Sequence, residues 1–165
     1  MIVIERNRDE NFVDIRTIAK EVWPIAYGAI LSQAQLDYMM EMMYSISSLQ
    51  LQSGSKKHRF ILAKEAETTL GFASYEFNYC KKPKTKIHKI YVSTTAQGKG
   101  IGKELIDFIT TEAKEHHQKE LILNVNKKNI AIRFYESIGF SISFEEIIDI
   151  GNGYVMDDYV MEKTI

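Results

Sequence analysis

Gln97-Gly98-Lys99-Gly100-Ile101-Gly102-Lys103 decides the reading of this chain. It follows a β-like run, Ile87 to Ser93, and leads into a helical run that begins near Gly100. Glycine at every second position removes Cβ atoms from the turn and opens backbone conformations closed to other residues. Such a turn can aim several N–H groups at one point, with the positive end of a helix behind them. That is the physical recipe for holding a phosphate or diphosphate.

Two common phosphate loops do not fit. A P-loop needs a glycine, four intervening residues and then Gly-Lys-Ser/Thr. Here Gly102-Lys103 is followed by Glu104, and position 97 is glutamine. A dinucleotide fingerprint needs its last glycine three residues after the second. Lys103 occupies that place, and the turn follows hairpins rather than opening a parallel sheet.

Working outward, Ile2 to Glu5 reads as a short strand. Asp9 to Val22 reads as a helix, with Phe12, Ile15, Ala19 and Val22 at helical spacing and Trp23-Pro24 as its end. Ser32 is placed to cap a helix carrying Leu36, Met39, Met40 and Met43, and Ser45 to Ser55 reads as a helix end followed by loop. Strands are expected at Arg59–Lys64, Leu70–Tyr79, Thr85–Ser93 and Glu120–Val125. Leu105, Phe108, Ile109 and Ala113 make a helical stripe after the glycine turn. A further helix, Asn129 to Ile138, closes on Gly139. Strands at Phe140–Ile150 and Tyr154–Glu162 are joined at Gly151-Asn152-Gly153, a hairpin signal. The order β-α-α-β-β-β-α-β-α-β-β predicts an α/β (α+β) chain. Its central sheet is mixed and mostly antiparallel, with helices on both faces, in one domain over residues 1–165.

Composition sets the outer limits. Hydrophobic residues make up 45% of 165 residues and the formal net charge is −1, which fits a soluble globular protein with no general affinity for nucleic acid. Lys81, Lys82, Lys84, Lys86 and Lys89 form a basic cluster that reads as a solvated edge. The single cysteine, Cys80, excludes a disulfide within the chain and suits a reducing, cytoplasmic setting. The apolar runs are too short to span a membrane, and MIVIERNRDE has no signal-peptide apolar core, so no membrane partner is expected. His58, Cys80, His88, His116 and His117 make no metal-ligand spacing, and no metal is expected.

Gln-x-x-Gly-x-Gly after a strand and at a helix start resembles motif A of the GCN5-related N-acetyltransferase (GNAT) superfamily. Asn129-Ile130-Ala131-Ile132-Arg133-Phe134-Tyr135-Glu136-Ser137-Ile138-Gly139-Phe140 resembles the Asn-x-x-Ala-x-x-Phe-Tyr-x-x-x-Gly-Phe pattern that follows it in that family. The element order matches over nearly the whole chain. The resemblance implies an acyl-CoA N-acyltransferase fold and transfer of acetyl from acetyl-CoA to an amine, by direct attack through a tetrahedral intermediate. It implies that the amides of Gln97, Gly98, Lys99, Gly100, Ile101, Gly102 and Lys103 hold the donor diphosphate. It further implies that the backbone of Ile90, Tyr91 and Val92 pairs with the pantetheine arm, and that Val92 N–H stabilises the oxyanion.

Tyr135 matches the tyrosine that protonates the departing thiolate in this family. Its other reading is core packing beside Phe134, with Ile130, Ala131, Phe134 and Ile138 on one helix face and Tyr135 at the margin. Asn129 matches a CoA-contacting asparagine and equally suits a helix cap. His88, on the strand that meets the thioester, is the candidate base, with Glu76 in reserve and Lys86 standing where many relatives carry glutamate. The acceptor pocket falls on the first two helices, with Trp23 and Tyr27 as candidate contacts; Asp157 and Asp158 either draw a cation or face solvent. The Trp-Pro-x-x-Tyr…Leu-Ser-x-x-Gln-Leu-x-Tyr-Met arrangement is loosely similar to small bacterial GNATs grouped with diamine or polyamine acetyltransferases. The expected partner is therefore a small, cationic amine acceptor. Family habit adds a homodimer. A protein amine as acceptor, or a non-catalytic acyl-CoA-binding module, stays open at this point.

Overall fold

The glycine turn does lie between a strand and a helix. The computed structural model describes residues 1–8 and 12–165. Its elements are β1 (Ile2–Arg6), α1 (Val13–Tyr27), α2 (Gln33–Tyr44), α3 (Ile46–Ser53), β2 (Arg59–Glu65), β3 (Thr68–Glu76), β4 (Lys84–Val92), α4 (Ile101–Glu115), β5 (Glu120–Asn126), α5 (Ala131–Ser137), β6 (Ser141–Gly151) and β7 (Tyr154–Thr164). The strands run in the order β1-β2-β3-β4-β5-β7-β6. β4 and β5 are parallel, and β1–β2, β2–β3, β5–β7 and β6–β7 are antiparallel. This is the expected mixed, mostly antiparallel sheet flanked by helices.

Two compact units partition the chain: Met1–Glu76 with Lys89–Ile109, and Phe77–His88 with Thr110–Ile165. In the first unit β3 buries six consecutive residues, Leu70 to Tyr75, so both its faces are covered and its alternation is not an inside–outside pattern. The strand ends at Glu76 rather than Tyr79. Left-handed backbone at Asn78, Cys80 and Lys81 turns the chain away, so Phe77 and Tyr79 fall outside it.

Trp23-Pro24 does not end α1, and the helix continues to Tyr27. Proline gives no N–H to the carbonyl four residues back and disfavours the helix. Packing prevails here, because Trp23 is 3% exposed and its ring lies 4.8 Å from that of Tyr27, a neighbour only in a continuing helix. Gly28 N–H closes the last turn on the Pro24 carbonyl at 2.9 Å. Of the expected helix start, Asp9 to Asn11 lie outside the described residues.

Ser32 caps α2 as expected, its Oγ accepting from Gln35 N–H at 3.2 Å. Ser45 to Ser55 is mostly helix rather than loop. Ser45 leaves the helical region with ψ 149° and caps α3 by accepting from Ser48 N–H, while Leu49 and Gln52 are buried. Serine thus ends one helix and starts the next.

In the second unit β7 pairs with both β5 and β6. Asn152 and Gly153, at φ 55° and 77°, form the two-residue left-handed turn between β6 and β7. In α5 the expected face is reversed. Tyr135 is the buried residue, Ile130 is 89% exposed, and Phe134 and Ile138 are half-buried. The helix has only seven residues, and its closure, Phe140 N–H to the Tyr135 carbonyl at 3.0 Å, brings Phe140 back against the Tyr135 ring.

Candidate active site

Gly98 and Gly100 take φ of +79° and +80°, a region costly for side chains, and open space lies where their Cβ atoms would be. Conformation, not crowding, requires glycine here. Glu104 donates to the Gly100 carbonyl as the first helical bond of α4. Among the described residues, no N–H from Gln97 to Lys103 donates to a backbone carbonyl. These are the orphan donors of a helix start joined to those of a turn. Their number suits a diphosphate. Lys99 is exposed, and Lys103 pairs with Asp107 at 2.6 Å along the helix. Gln97, exposed, donates its side-chain amide to the Val92 carbonyl at 3.2 Å.

The segment before the turn is held by a residue that sequence reasoning missed. Glu21, on α1, accepts from Thr94 N–H at 2.7 Å and Ser93 Oγ at 3.1 Å, and also bonds Thr94 Oγ1. The hydrogen bonds from the Thr94 side chain and backbone hold this carboxyl below its ordinary range. Ser93 N–H continues the ladder to the Leu70 carbonyl. Gly71 lies so close to β4 that a Cβ would come within 2.9 Å of the Tyr91 carbonyl oxygen. On its other side, β4 pairs with β5 only from Lys84 to Ile87, so Ile90, Tyr91 and Val92 lie beyond the described register.

Trp23 and Tyr27 pack on each other, and the cluster is larger than those two. Trp23 packs on Tyr27, Tyr44 and Tyr91 at centroid distances of 4.8, 5.6 and 5.9 Å, and the hydroxyls of Tyr27 and Tyr91 lie 3.1 Å apart. Tyr91 therefore contributes a side chain as well as backbone. Burial pushes the Tyr44 hydroxyl well above its ordinary range. Glu76, half-buried at the end of β3, has a carboxylate oxygen within 4.8 Å of a ring nitrogen of His58. Burial, then the charges of Lys89 and Lys56, brings His58 down to about 4, so its imidazole is neutral at pH 7.

In the second unit His88 is half-buried on β4, with its ring edge-on to Tyr79 at 6.2 Å. Tyr135 is 8% exposed and packs on Phe134 and Phe140. Asn129 takes the capping role, its Oδ1 accepting from Ala131 N–H at 2.9 Å. His116 stacks on Phe77 at 4.2 Å.

The basic cluster is not wholly a solvated edge. Lys81 and Lys82 are exposed and Lys84 pairs with Glu120 and Glu162, but Lys86 and Lys89 are 7% and 8% exposed. Lys86 lies over the Tyr79 ring and donates to Asn124 Oδ1; Asn124 Nδ2 in turn donates to Glu146 at 2.8 Å and Asp158 at 3.3 Å. Asp158 is thus buried rather than facing solvent, and burial raises its carboxyl. Asp157 is exposed and engaged by Lys127.

A glycine turn whose amides make no backbone hydrogen bond, set between a strand and a helix, suits a phosphate or diphosphate. Residues 13–140 match the model of the Acetyltransferase (GNAT) family, and the chain belongs to that family. It is similar to a 5-NmdU N-acetyltransferase of Pseudomonas phage PaMx11, at 28% identity over 89% of this chain and 92% of that one. A Salmonella typhimurium L-methionine sulfoximine/L-methionine sulfone acetyltransferase is 28% identical over half of each chain. Among solved structures, the fold is shared with a PaiA N-acetyltransferase from Thermoplasma acidophilum in complex with coenzyme A. The TM-score is 0.82 and the identity 22%, over all of this chain and 99% of the other.

Proposed function

We propose that this protein transfers the acetyl group of acetyl-CoA to the nitrogen of a small primary amine that arrives as an ammonium ion. The unoccupied N–H groups from Gln97 to Lys103 carry the reading. They would hold the donor diphosphate, with Lys99 adding charge, while the backbone of Ile90 to Val92, past the end of the β4–β5 register, pairs with the pantetheine arm. Asn129 already caps α5, and a second contact to the donor remains part of the reading.

An alkylammonium loses its proton near pH ~10, so a base must act before the nitrogen can attack. His88 is the proposed base, with Glu76 as the alternative. As the nitrogen–carbon bond forms, Val92 N–H takes the charge that develops on the carbonyl oxygen. As the carbon–sulfur bond breaks, Tyr135 gives its proton to the departing thiolate. The ammonium gives up two protons: the first leaves through the base before attack, and the second, lost from the nitrogen as the intermediate collapses, restores the Tyr135 hydroxyl. The aromatic cluster of Trp23, Tyr27 and Tyr91 suits the face of a small ammonium-bearing acceptor.

Calorimetry with CoA, followed by free-thiol release from acetyl-CoA across a panel of amines, tests the reading. Heat with CoA and amine-dependent release are expected. Binding without turnover on any amine identifies a binding module instead, and no heat with CoA removes the donor site altogether. Tyr135→Phe is expected to lower kcat about a hundredfold with little change in CoA affinity, within the usual range for a lost general acid.

A further inference from the structure

Lys89 is a buried cation that the acetyl-transfer chemistry above does not use. Its Nζ donates to Gln52 Oε1 at 2.7 Å and lies 5.3 Å from the centre of the Tyr44 ring. Among the described residues no carboxylate pairs with it. An ammonium has three donors, so two are left after Gln52. Gln52 is itself 5% exposed and locked: its Nε2 donates to the Met43 carbonyl at 2.9 Å and to Ser48 Oγ at 3.0 Å. Those bonds fix which end of the amide meets Lys89. The kink between α2 and α3 thus builds a rigid seat for a cation. The surrounding field is positive, since Lys89 and Lys56 both depress His58, and Lys89 itself is brought down to about 8 by burial and then by Lys56. It is therefore still mostly protonated at pH 7.

A buried ammonium short of partners is costly, and native interiors normally pair such charges. The site lies beside the proposed acceptor pocket, because Tyr44 packs edge-on to Trp23, and Tyr91 follows Lys89 by two residues on the same face of β4. We infer that Lys89 is a specificity-determining residue: its ammonium pairs with a carboxylate carried by the same small amine whose nitrogen is acetylated. The acceptor is then an amino acid or a close derivative, with the aromatic cluster on its ammonium side and Lys89 on its acid side.

The inference rests on the proposed acetyl transfer and is tested apart from it. Free-thiol release by the full chain with saturating acetyl-CoA is measured for the common L-amino acids, each against its decarboxylated amine. The best acid is expected to exceed its decarboxylated partner about ten- to a hundredfold in kcat/KM, the range of a charge-assisted hydrogen bond. Lys89→Met should collapse that ratio toward one by raising KM for the acid, and Lys89→Gln supplies the same readout should the Met variant not fold. Decarboxylated amines that match or beat their acids, or a ratio unmoved by Lys89→Met, overturn the role of Lys89 while leaving acetyl transfer intact. No thiol release with any amine overturns both.

Discussion

Lys86 and Lys89 stand on one strand, and the interior treats them differently. Lys86 is built into a polar network: Asn124 accepts from it, Asn124 bridges to Asp158 and Glu146, and the charge of Lys86 draws the Asp158 carboxyl down against the effect of burial. Each lysine donates to one neutral amide and lies over an aromatic ring, but the amide that meets Lys89 leads on to a carbonyl and a hydroxyl rather than to carboxylates. A buried charge with its counter-charges serves the fold, whereas one without them is a cost that the fold does not explain. The contrast separates a structural lysine from one available for recognition.

The sharpest way to break this contrast is Lys86→Met. Removing the cation strands Asn124 Oδ1 and the Asp158 carboxylate, so a loss of about 3 kcal/mol or more is expected in urea unfolding. A loss below about 1 kcal/mol would put the two lysines in one class. Lys89→Met should act in the opposite direction. The fall of Lys89 from 10.5 to about 8 corresponds to a cost of about 3 kcal/mol for burying the charge, part of which the variant recovers. The folded state of the parent binds fewer protons than the unfolded chain between pH 8 and 10.5. Its stability relative to the variant should therefore rise across that window.

His58 sharpens the comparison as a local reporter. In the parent it titrates at about 4, below its ordinary 6.5. The unfolded chain binds the extra proton between those values, so the stability that neutral His58 contributes is complete above pH 6.5 and is lost as pH falls toward 4. In Lys89→Met its titration, followed by NMR, should move upward, because one of its depressing charges is gone. Lys86→Met should leave it in place. The smallest effect belongs to Glu21→Gln, since exposed charged contacts are worth at most about 1 kcal/mol. Glu21 titrates below its ordinary 4.5, so its contribution should be present above that value and fade as pH falls through its lowered range. Thermal shifts at pH 7 and pH 3 would show it.

Much of this molecule could be read in advance because periodic apolar residues and glycine turns act locally. In the stripe of Leu105, Phe108, Ile109 and Ala113 three residues are buried as the spacing requires and Phe108 is half-buried, and Gly98 and Gly100 take the left-handed backbone that their turn demands. Reasoning failed where distant residues decided the outcome. Pro24 reads as a stop until Trp23 is seen buried among Tyr27, Tyr44 and Tyr91. Gly71 carries no turn signal, since its need for glycine comes from β4 pressing on it. Lys89 and Asp158 read as surface residues because their types usually are. Only the covering of β4 and β7 reveals them. Gln52 offered no signal at all, as its part depends on how α3 leaves α2.

Glu21 has a consequence for how such a protein can change. The helix that presents Trp23 and Tyr27 is fastened by this one carboxylate to Ser93 and Thr94, just ahead of the glycine turn. On the proposed reading, remodelling α1 to welcome a new nitrogen compound would tug on the segment that leads into the donor loop. Choice of recipient and grip on the donor would then be mechanically linked, and lineages that alter one should carry compensating changes at the other.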